Sequence, residues 1–370
     1  MRIPDIKVHQ YAWLFVTCVN IPFLAIAKKH IVFQDENNIV TKKMLNSSHN
    51  VVWVQLFALL MLIPLLLKMG MSFISYGSLT LIRQFFFSGE VFSNVYLDLL
   101  FRQLPFGMLQ GLIVYYVFYA IKSKSYRHML FAIFNTLLAT IVSGGRYPIM
   151  LLIYSMIIVL IMEEKNIQIK SRFSKRIKLF IGIAALFMLV VTLNRGQAIF
   201  KSIVVYFSGS FSFLDYIVSS PKMFALEEKT YGYLFFGAIF EPFVLLFKVL
   251  GLTDIKVPQW HFNTYCQSFY NIGTSSSPIY YNNNTSILYY LLRDFDVLGV
   301  ILGGLFIGVL LSKLHNQTKK GKLFSSLVYV YVVNTLFNTV MTHQFFGTVP
   351  LFVLLTLFVC SSGLRIRIKR

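Results

Sequence analysis

The sequence predicts an all-α fold, namely a polytopic integral membrane protein with about nine to eleven transmembrane helices and one long external loop. Of the 370 residues, 56% are hydrophobic and only 13% are charged, whereas soluble proteins carry about 25% charged residues. A mean hydropathy of +0.67 leaves too few polar side chains to cover a soluble protein of this size. The apolar residues also fall in runs near the length of about 20 residues that crosses a bilayer.

Nine apolar runs bounded by polar or charged residues are predicted as spans, and together they make the chain a single membrane domain over 1–370. They are Tyr11–Ala27, Val51–Leu67, Leu104–Ile121, Met129–Val142, Tyr147–Met162, Leu179–Leu193, Val297–Leu311, Leu323–Met341 and Val349–Cys360. A further run, Tyr233–Leu250, is interrupted by Glu241 and Pro242. A carboxylate and a helix break are both costly in lipid, so this run is predicted to be a re-entrant or interfacial helical segment of the external loop.

The distribution of charge predicts the orientation. Five segments between or after the spans contain 21 of the 34 basic residues and only four of the 14 acidic ones, and they are 28–43, 122–127, 163–178, 313–322 and 365–370. The positive-inside rule places these segments, including the C-terminus, in the cytoplasm. The net charge of +20 is therefore explained by the orientation of the chain in the membrane. No nucleic-acid partner is predicted, because a nucleic-acid-binding protein concentrates its basic residues on one folded face.

With both flanking basic segments inside, the region 194–296 is predicted to be a long external loop within the membrane domain. Counting nine spans back from a cytoplasmic C-terminus places the N-terminus outside, although Arg2 and Lys7 lie there. Two explanations stay open: the first span is wrongly assigned, or the chain lacks a span that its relatives have.

Two arginines lie beside glycines on consecutive external turns. Arg146 follows Gly144-Gly145, and Arg195 precedes Gly196. A guanidinium is always charged and offers paired donors that match phosphate oxygens. The alternative is that both arginines are interfacial anchors that reach toward lipid headgroups.

Candidate acid–base groups lie elsewhere on the same predicted face. Asp294, next to Arg293, is a candidate general base, and His343 in a short external turn could accept a proton or hold a phosphate. Asp296 directly precedes a span, and capping of that helix is its expected role.

The external loop supplies candidate sugar-binding residues, because aromatic faces stack on sugar rings and amides bond their hydroxyls. They are His261, Asn263 and Tyr265. The three cysteines lie far apart with no metal-ligand spacing, and no nucleotide-binding or hydrolase motif occurs. The first external loop also contains no Asp-x-Asp pair, so no metal and no cofactor are predicted.

These features together resemble the Wzy-type oligosaccharide repeat-unit polymerases of O-antigen, capsule and exopolysaccharide pathways. The matching elements are the Gly-Arg turn at 143–146, the Arg-Gly turn at 194–196 that opens a long external loop, the Asn- and Tyr-rich stretch from Asn263, and an Asp-Phe-Gly-like element at 294–296 before a glycine-rich span. The resemblance covers roughly residues 100–365. The departure is Asp296, which stands where glycine is usual.

The resemblance implies a glycosyltransferase in the cytoplasmic membrane of a bacterium, with its active site on the external face. Such enzymes transfer a growing chain from undecaprenyl diphosphate to a hydroxyl of an incoming lipid-linked repeat unit. The implied roles are stabilisation of the diphosphate leaving group by Arg146, Arg195 and Arg293, and deprotonation of the acceptor by Asp294 or His343. The implied partners are undecaprenyl-diphosphate-linked oligosaccharides, the lipid bilayer, and the flippase and chain-length regulator of the same pathway.

Two other functions stay open. An O-antigen-ligase-type transferase shares the external arginines and differs mainly in its acceptor. A lipid-linked oligosaccharide flippase is a transporter, for which more spans, near-symmetric halves and charges lining the spans are expected.

Overall fold

A computed structural model of the chain describes residues 4–27, 37–76, 85–86, 91–92, 94–163, 182, 199–266, 268–274, 278–281, 285–339 and 343–362. For residues 37–49, 199–207 and 346 it describes the backbone alone. Over these residues the fold is all-α, as predicted, with a two-stranded antiparallel hairpin formed by β1 (Tyr270–Asn271) and β2 (Tyr280–Tyr281).

The helices follow the apolar pattern of the sequence. Before the long loop region they are α1 (Ile6–Ile26), α2 (Asn37–Tyr76), α3 (Val95–Asp98), α4 (Leu104–Lys122), α5 (Tyr126–Ser143) and α6 (Tyr147–Met162), with a π-helical turn at Leu99–Gln103 joining α3 to α4. From that region onward they are α7 (Ile199–Ser219), α8 (Gly237–Val249), α9 (Pro258–Cys266), α10 (Ile287–Phe295), α11 (Val297–Lys319), α12 (Leu323–Thr339) and α13 (Val349–Ser361), with a 3₁₀ turn at Gln344–Phe346.

Four helical stretches in the described part of the chain are long and apolar enough to cross a membrane. They are Ile6–Ile26, Asn50–Ser75, Val95–Lys122 and Val297–Lys319. The helices α6, α12 and α13 are apolar but shorter. The predicted span Leu179–Leu193 lies, apart from residue 182, outside the described residues.

The contacts divide the chain into two compact units. The first unit comprises Met1–Ile31, Ala198–Asn316 and Thr335–Pro350, and the second comprises Val32–Gln197, Gln317–Asn334 and Leu351–Arg370. The predicted external loop region belongs almost entirely to the first unit, and the Gly-Arg turn belongs to the second.

The second unit is built around α4, whose side chains from 105 to 121 are all buried. Helices α2, α5 and α6 pack around it. Between α2 and α5, the amides of Gln55 and Asn135 bond each other reciprocally at 2.9 Å. Gly111 lets α13 approach α4 closely, since a Cβ at 111 would lie 2.8 Å from the side chain of Thr356.

A buried polar group lies where α3 continues into α4. Within the π-helical turn, the Arg102 guanidinium pairs with both oxygens of Asp98, and Gln103 donates to the same carboxylate. All three residues are buried. The pairing neutralises two charges at one end of a candidate span, where either charge alone would be costly.

In the first unit, α1 and α11 run parallel along a seam of small residues. A Cβ at Gly308 would lie 2.3 Å from the carbonyl oxygen of Val19, so glycine allows the two backbones to touch. Further along both helices, the Asn316 amide donates to the carbonyl of Ile26 at 3.0 Å. The beginning of α1 therefore lies at the same end of this helix pair as Asp296.

The junction between α10 and α11 is also closely packed. A Cβ at Gly299 would lie 2.1 Å from the carbonyl oxygen of Leu291, so α11 begins directly against the backbone of α10. Asp296 forms the corner between the two helices with φ 59° and ψ −143°, a region that is nearly exclusive to glycine.

The interrupted run at 233–250 forms a turn followed by α8. Pro242 lies inside α8 rather than at its end. The proline is in the second turn of the helix, where its missing N–H removes one backbone bond without ending the helix. Glu241 beside it is buried. At 13 residues, α8 is too short to cross a bilayer.

Candidate functional site

The candidate site of the first unit is built where the segment 228–236 wraps around the C-terminal end of α10. Two backbone bonds hold the segment there: the amides of Thr230 and Tyr231 donate to the carbonyls of Arg293 and Asp294, each at 3.2 Å. The Lys229 ammonium donates to the carbonyl of Leu292 at 3.4 Å. A cation at this position complements the negative end of the helix dipole.

Asp294 fixes the turn that precedes α8. Its carboxylate accepts hydrogen bonds from the backbone amides of Leu234 at 3.2 Å and Phe235 at 2.8 Å, and from the Thr230 hydroxyl at 2.5 Å. Burial raises the pKa of the Asp294 carboxyl, and these hydrogen bonds offset part of that rise. Both oxygens are thus engaged by the protein, and the predicted role as general base stays a prediction.

Arg293 lies at the centre of a second group of contacts, which we call the arginine cluster (Glu228, His261, Tyr265, Tyr289 and Arg293). Its side chain is fully buried. One terminal nitrogen donates to the Tyr289 hydroxyl and the other to Nδ1 of His261, each at 3.1 Å. The guanidinium lies over the ring of Tyr265, 4.6 Å from its centroid. The carboxylate of Glu228 lies 3.8 Å away.

The contact with Arg293 fixes the state of His261. Arg293 can only donate, so Nδ1 of His261 accepts and Nε2 carries the proton. Burial, assisted by the charge of Arg293, lowers the pKa of His261 to about 4. The imidazole is therefore neutral at pH 7 and presents an N–H donor.

An aromatic side chain extends the arginine cluster to the surface. The ring of Trp260 packs edge-on against His261 at 5.1 Å between centroids and is 38% exposed. The Lys256 ammonium lies 5.4 Å from the centroid of this ring. Asn263, the third predicted sugar-binding residue, is half-buried on the same helix, α9.

His343 lies in the first unit but outside the arginine cluster. Its Nε2 donates to the carbonyl of Phe235 at 3.0 Å, and its ring stacks on the ring of Phe235 at 5.3 Å. The side chain is fully buried, and burial lowers its pKa to about 4. The amide of Phe235 bonds Asp294, so one residue links the two predicted acid–base groups through its backbone. The role of His343 as a base stays a prediction.

Arg146 belongs to the second unit. It occupies the N-cap position of α6, two residues after Gly144, whose φ of 56° is left-handed and favours glycine. The Arg146 side chain is half-buried. A guanidinium at a helix N-terminus places a full positive charge where the helix dipole is also positive, which suits an anion. Arg195, the other predicted phosphate-binding residue, lies outside the described residues.

The structure thus brings three predicted residues together, Arg293, His261 and Tyr265, and adds two that sequence reasoning missed. Tyr289 is one helical turn before Arg293, so the spacing of four could have identified it. Glu228 is distant in the sequence and gave no comparable signal. In the part of the chain that the structure describes, no group of three or more His, Cys, Asp or Glu side chains is arranged to hold a metal.

The chemistry available at the arginine cluster is hydrogen bonding and aromatic stacking around one buried positive charge. Neutral His261 and the hydroxyl of Tyr289 supply directional polar groups, and Trp260 supplies an exposed aromatic face. Such a combination suits a polar ligand with apolar faces, of which a sugar is the standard example. The chain matches no protein-family model, no curated protein and no solved structure at a significant level.

Proposed function

We propose that the protein polymerises undecaprenyl-diphosphate-linked oligosaccharide repeat units on the outer face of the cytoplasmic membrane of a bacterium. The reaction is a glycosyl transfer in which the anomeric carbon moves from the diphosphate of the donor to a hydroxyl of the acceptor. The four candidate spans support a membrane protein by their length and composition, and the proposed reaction is the one that the resemblance to Wzy-type polymerases implies.

The observation that carries the proposal is the convergence of Arg293, His261 and Tyr265. From the sequence, these residues are predicted separately: Arg293 to bind a diphosphate, and His261 and Tyr265 to bind a sugar. In the structure they form one contact group with the exposed face of Trp260 beside it. A site for an oligosaccharide needs this pairing of aromatic faces with fixed donors and acceptors.

Arg146 supports a site for the diphosphate. Negative charge accumulates on the departing diphosphate in the transition state, and a fixed cation is the group that stabilises it. The position of Arg146 at the N-terminus of α6 adds the partial charge of the helix to that of the guanidinium. This role needs no protein-bound metal.

The backbone at Asp296 supports the resemblance. The Wzy-type pattern expects glycine at this position, and Asp296 adopts a conformation that glycine favours. The backbone at the corner between α10 and α11 thus has the conformation expected of glycine, although the residue at this position is aspartate.

The pool of lipid-linked sugars in a deletion strain tests the proposal. A strain without this protein is expected to accumulate single repeat units on the lipid carrier at the outer face. Complementation with Arg146→Ala should leave the same accumulation, whereas Arg127→Ala, at the opposite end of α5 and exposed, should restore polymer. Normal polymer in the Arg146→Ala and Arg195→Ala strains contradicts the assignment of these arginines.

The same pool distinguishes the two other functions. Finished polymer that stays on its lipid carrier indicates an O-antigen-ligase-type transferase. Repeat units trapped at the inner face indicate a flippase. Either result would replace polymerisation as the assigned activity.

A further inference from the structure

A general base for the acceptor hydroxyl needs a lone pair that the substrate can reach. Asp294 has both oxygens bonded to Thr230, Leu234 and Phe235, and its side chain is 1% exposed. His343 is fully enclosed and its Nε2 is bonded to Phe235. Neither predicted base presents a free lone pair at the surface of the described structure.

Glu228 has the access that those residues lack. Its side chain is 70% exposed, and one of its carboxylate oxygens lies 3.8 Å from a terminal nitrogen of Arg293. The distance is that of an ion pair without a short hydrogen bond, so the carboxylate is attracted to the arginine cluster and keeps lone pairs for another partner. The exposed face of Trp260 borders the same cluster through His261.

Arg293 is suited to hold Glu228 in place. Its guanidinium is fully buried and is itself fixed by Tyr289 and His261. A second anion at the same guanidinium would be repelled by the Glu228 carboxylate, which disfavours a diphosphate there. Arg293 therefore acts as a positioning residue for Glu228.

We infer that Glu228 is the general base that deprotonates the acceptor hydroxyl, an inference that rests on the proposed glycosyl transfer. The acceptor oxygen gives its proton to the Glu228 carboxylate and forms a bond to the anomeric carbon of the donor. The bond from that carbon to the diphosphate oxygen breaks, and its electron pair leaves with the undecaprenyl diphosphate. The protonated Glu228 then releases its proton to water.

The test uses the purified full chain in lipid bilayers with defined lipid-linked donor and acceptor. Glu228→Gln keeps the shape of the side chain and removes the base, so kcat should fall by about 10²–10⁴-fold, while KM for the donor changes little. Glu227→Gln is the matched control, since Glu227 is the adjacent acidic residue and is also exposed. It should retain the wild-type kcat.

Two further measurements separate catalysis from folding. In Glu228→Ala, added formate should restore part of the turnover, because a small carboxylate can occupy the exposed position. Adding Arg293→Met to Glu228→Gln should lower kcat no further than Glu228→Gln alone, because a positioning residue acts on kcat through the group it holds.

A kcat for Glu228→Gln within about threefold of wild type overturns the inference and leaves the proposed function intact. Loss of kcat without any formate rescue in Glu228→Ala also overturns it. Wild-type protein that transfers no sugar overturns the proposed function instead, so the two failures are distinguishable.

Discussion

Replacement of Asp296 tests the geometry at the corner between α10 and α11. Asp296 is held at φ 59° and ψ −143°, where a side chain with a Cβ is strained and glycine is not. Asp296→Gly should therefore be more stable than Asp296→Ala. The comparison between the two variants matters, because both remove the same carboxylate.

The difference in the free energy of unfolding between the two variants is estimated from three contributions. Strain in this region costs about 1–3 kcal/mol for a residue other than glycine. Glycine costs about 0.4–1 kcal/mol through the entropy of the unfolded chain. The ion pair of Asp296 with Lys229 spans 3.7 Å between side chains that are 65% and 30% exposed, is worth about 0–1 kcal/mol, and is lost in both variants. The free energy of unfolding of Asp296→Gly should thus exceed that of Asp296→Ala by about 1 kcal/mol.

Thermal unfolding in detergent or bilayers measures this difference, and about 1 kcal/mol corresponds to an increase in Tm of about 2 °C in a protein of this size. Asp296→Gly itself should be at least as stable as wild type, because the relieved strain outweighs the exposed ion pair. An alanine variant as stable as the glycine variant would show that the corner is not strained. It would also remove the backbone geometry as support for the resemblance.

Three further predictions concern the same unit or its packing. Gly299→Ala should destabilise the protein by about 1–3 kcal/mol, because a Cβ would lie 2.1 Å from the carbonyl oxygen of Leu291. The control Gly70→Ala should be neutral or slightly stabilising, because a Cβ there would have nothing within 4 Å, and equal Tm values for the two variants would contradict the packing at Gly299. His343 should contribute about 2 kcal/mol to a fall in stability between pH 7 and pH 5, because the unfolded chain protonates this histidine while burial keeps its pKa in the folded state at about 4. His261, whose pKa is also lowered to about 4, adds a similar fall, so His343→Gln should remove only the part due to His343, and an unchanged pH dependence of unfolding would argue against its burial. Asp294→Asn should lower stability by about 1–3 kcal/mol, because one acceptor oxygen is replaced by an NH₂ group that faces buried backbone donors. A variant with the wild-type Tm but no activity would instead favour Asp294 as the general base.

The apolar helices were predictable from sequence because their signal is local. The run Leu104–Ile121 coincides with α4 within one residue, since a charged residue follows it and the apolar stretch is uninterrupted. Helix α7 was not predicted, because serine, glycine and lysine alternate with its apolar residues and no uniform run appears. A helical segment was predicted in the run 233–250, and α8 lies within it. An interruption was predicted at Glu241 and Pro242, whereas the helix continues through both residues, because a proline in the second turn removes only one backbone bond.

The candidate site was predictable only in part. Residues near one another in the sequence, such as His261 and Tyr265 on α9, could be recognised as a group from composition. The approach of Glu228 to Arg293 depends on how the segment 228–236 folds back over α10. Asp294 was recognised as unusual, but its bonds to backbone amides of another segment have no sequence signature. Tertiary contacts of this kind decide whether a charged residue stabilises the fold or is available to take part in a reaction.

Transfer of a sugar chain by the purified protein is the reaction that the proposed function requires, and it can be measured in bilayers. The protein in bilayers of defined composition receives an undecaprenyl-diphosphate-linked repeat unit, and the products are resolved by mass. We expect lengthened oligosaccharide on the lipid carrier together with free undecaprenyl diphosphate, with neither formed by Arg146→Ala and both formed by Arg127→Ala. Unlengthened repeat units after incubation with the wild-type protein, or equal polymer from Arg146→Ala, would contradict this expectation.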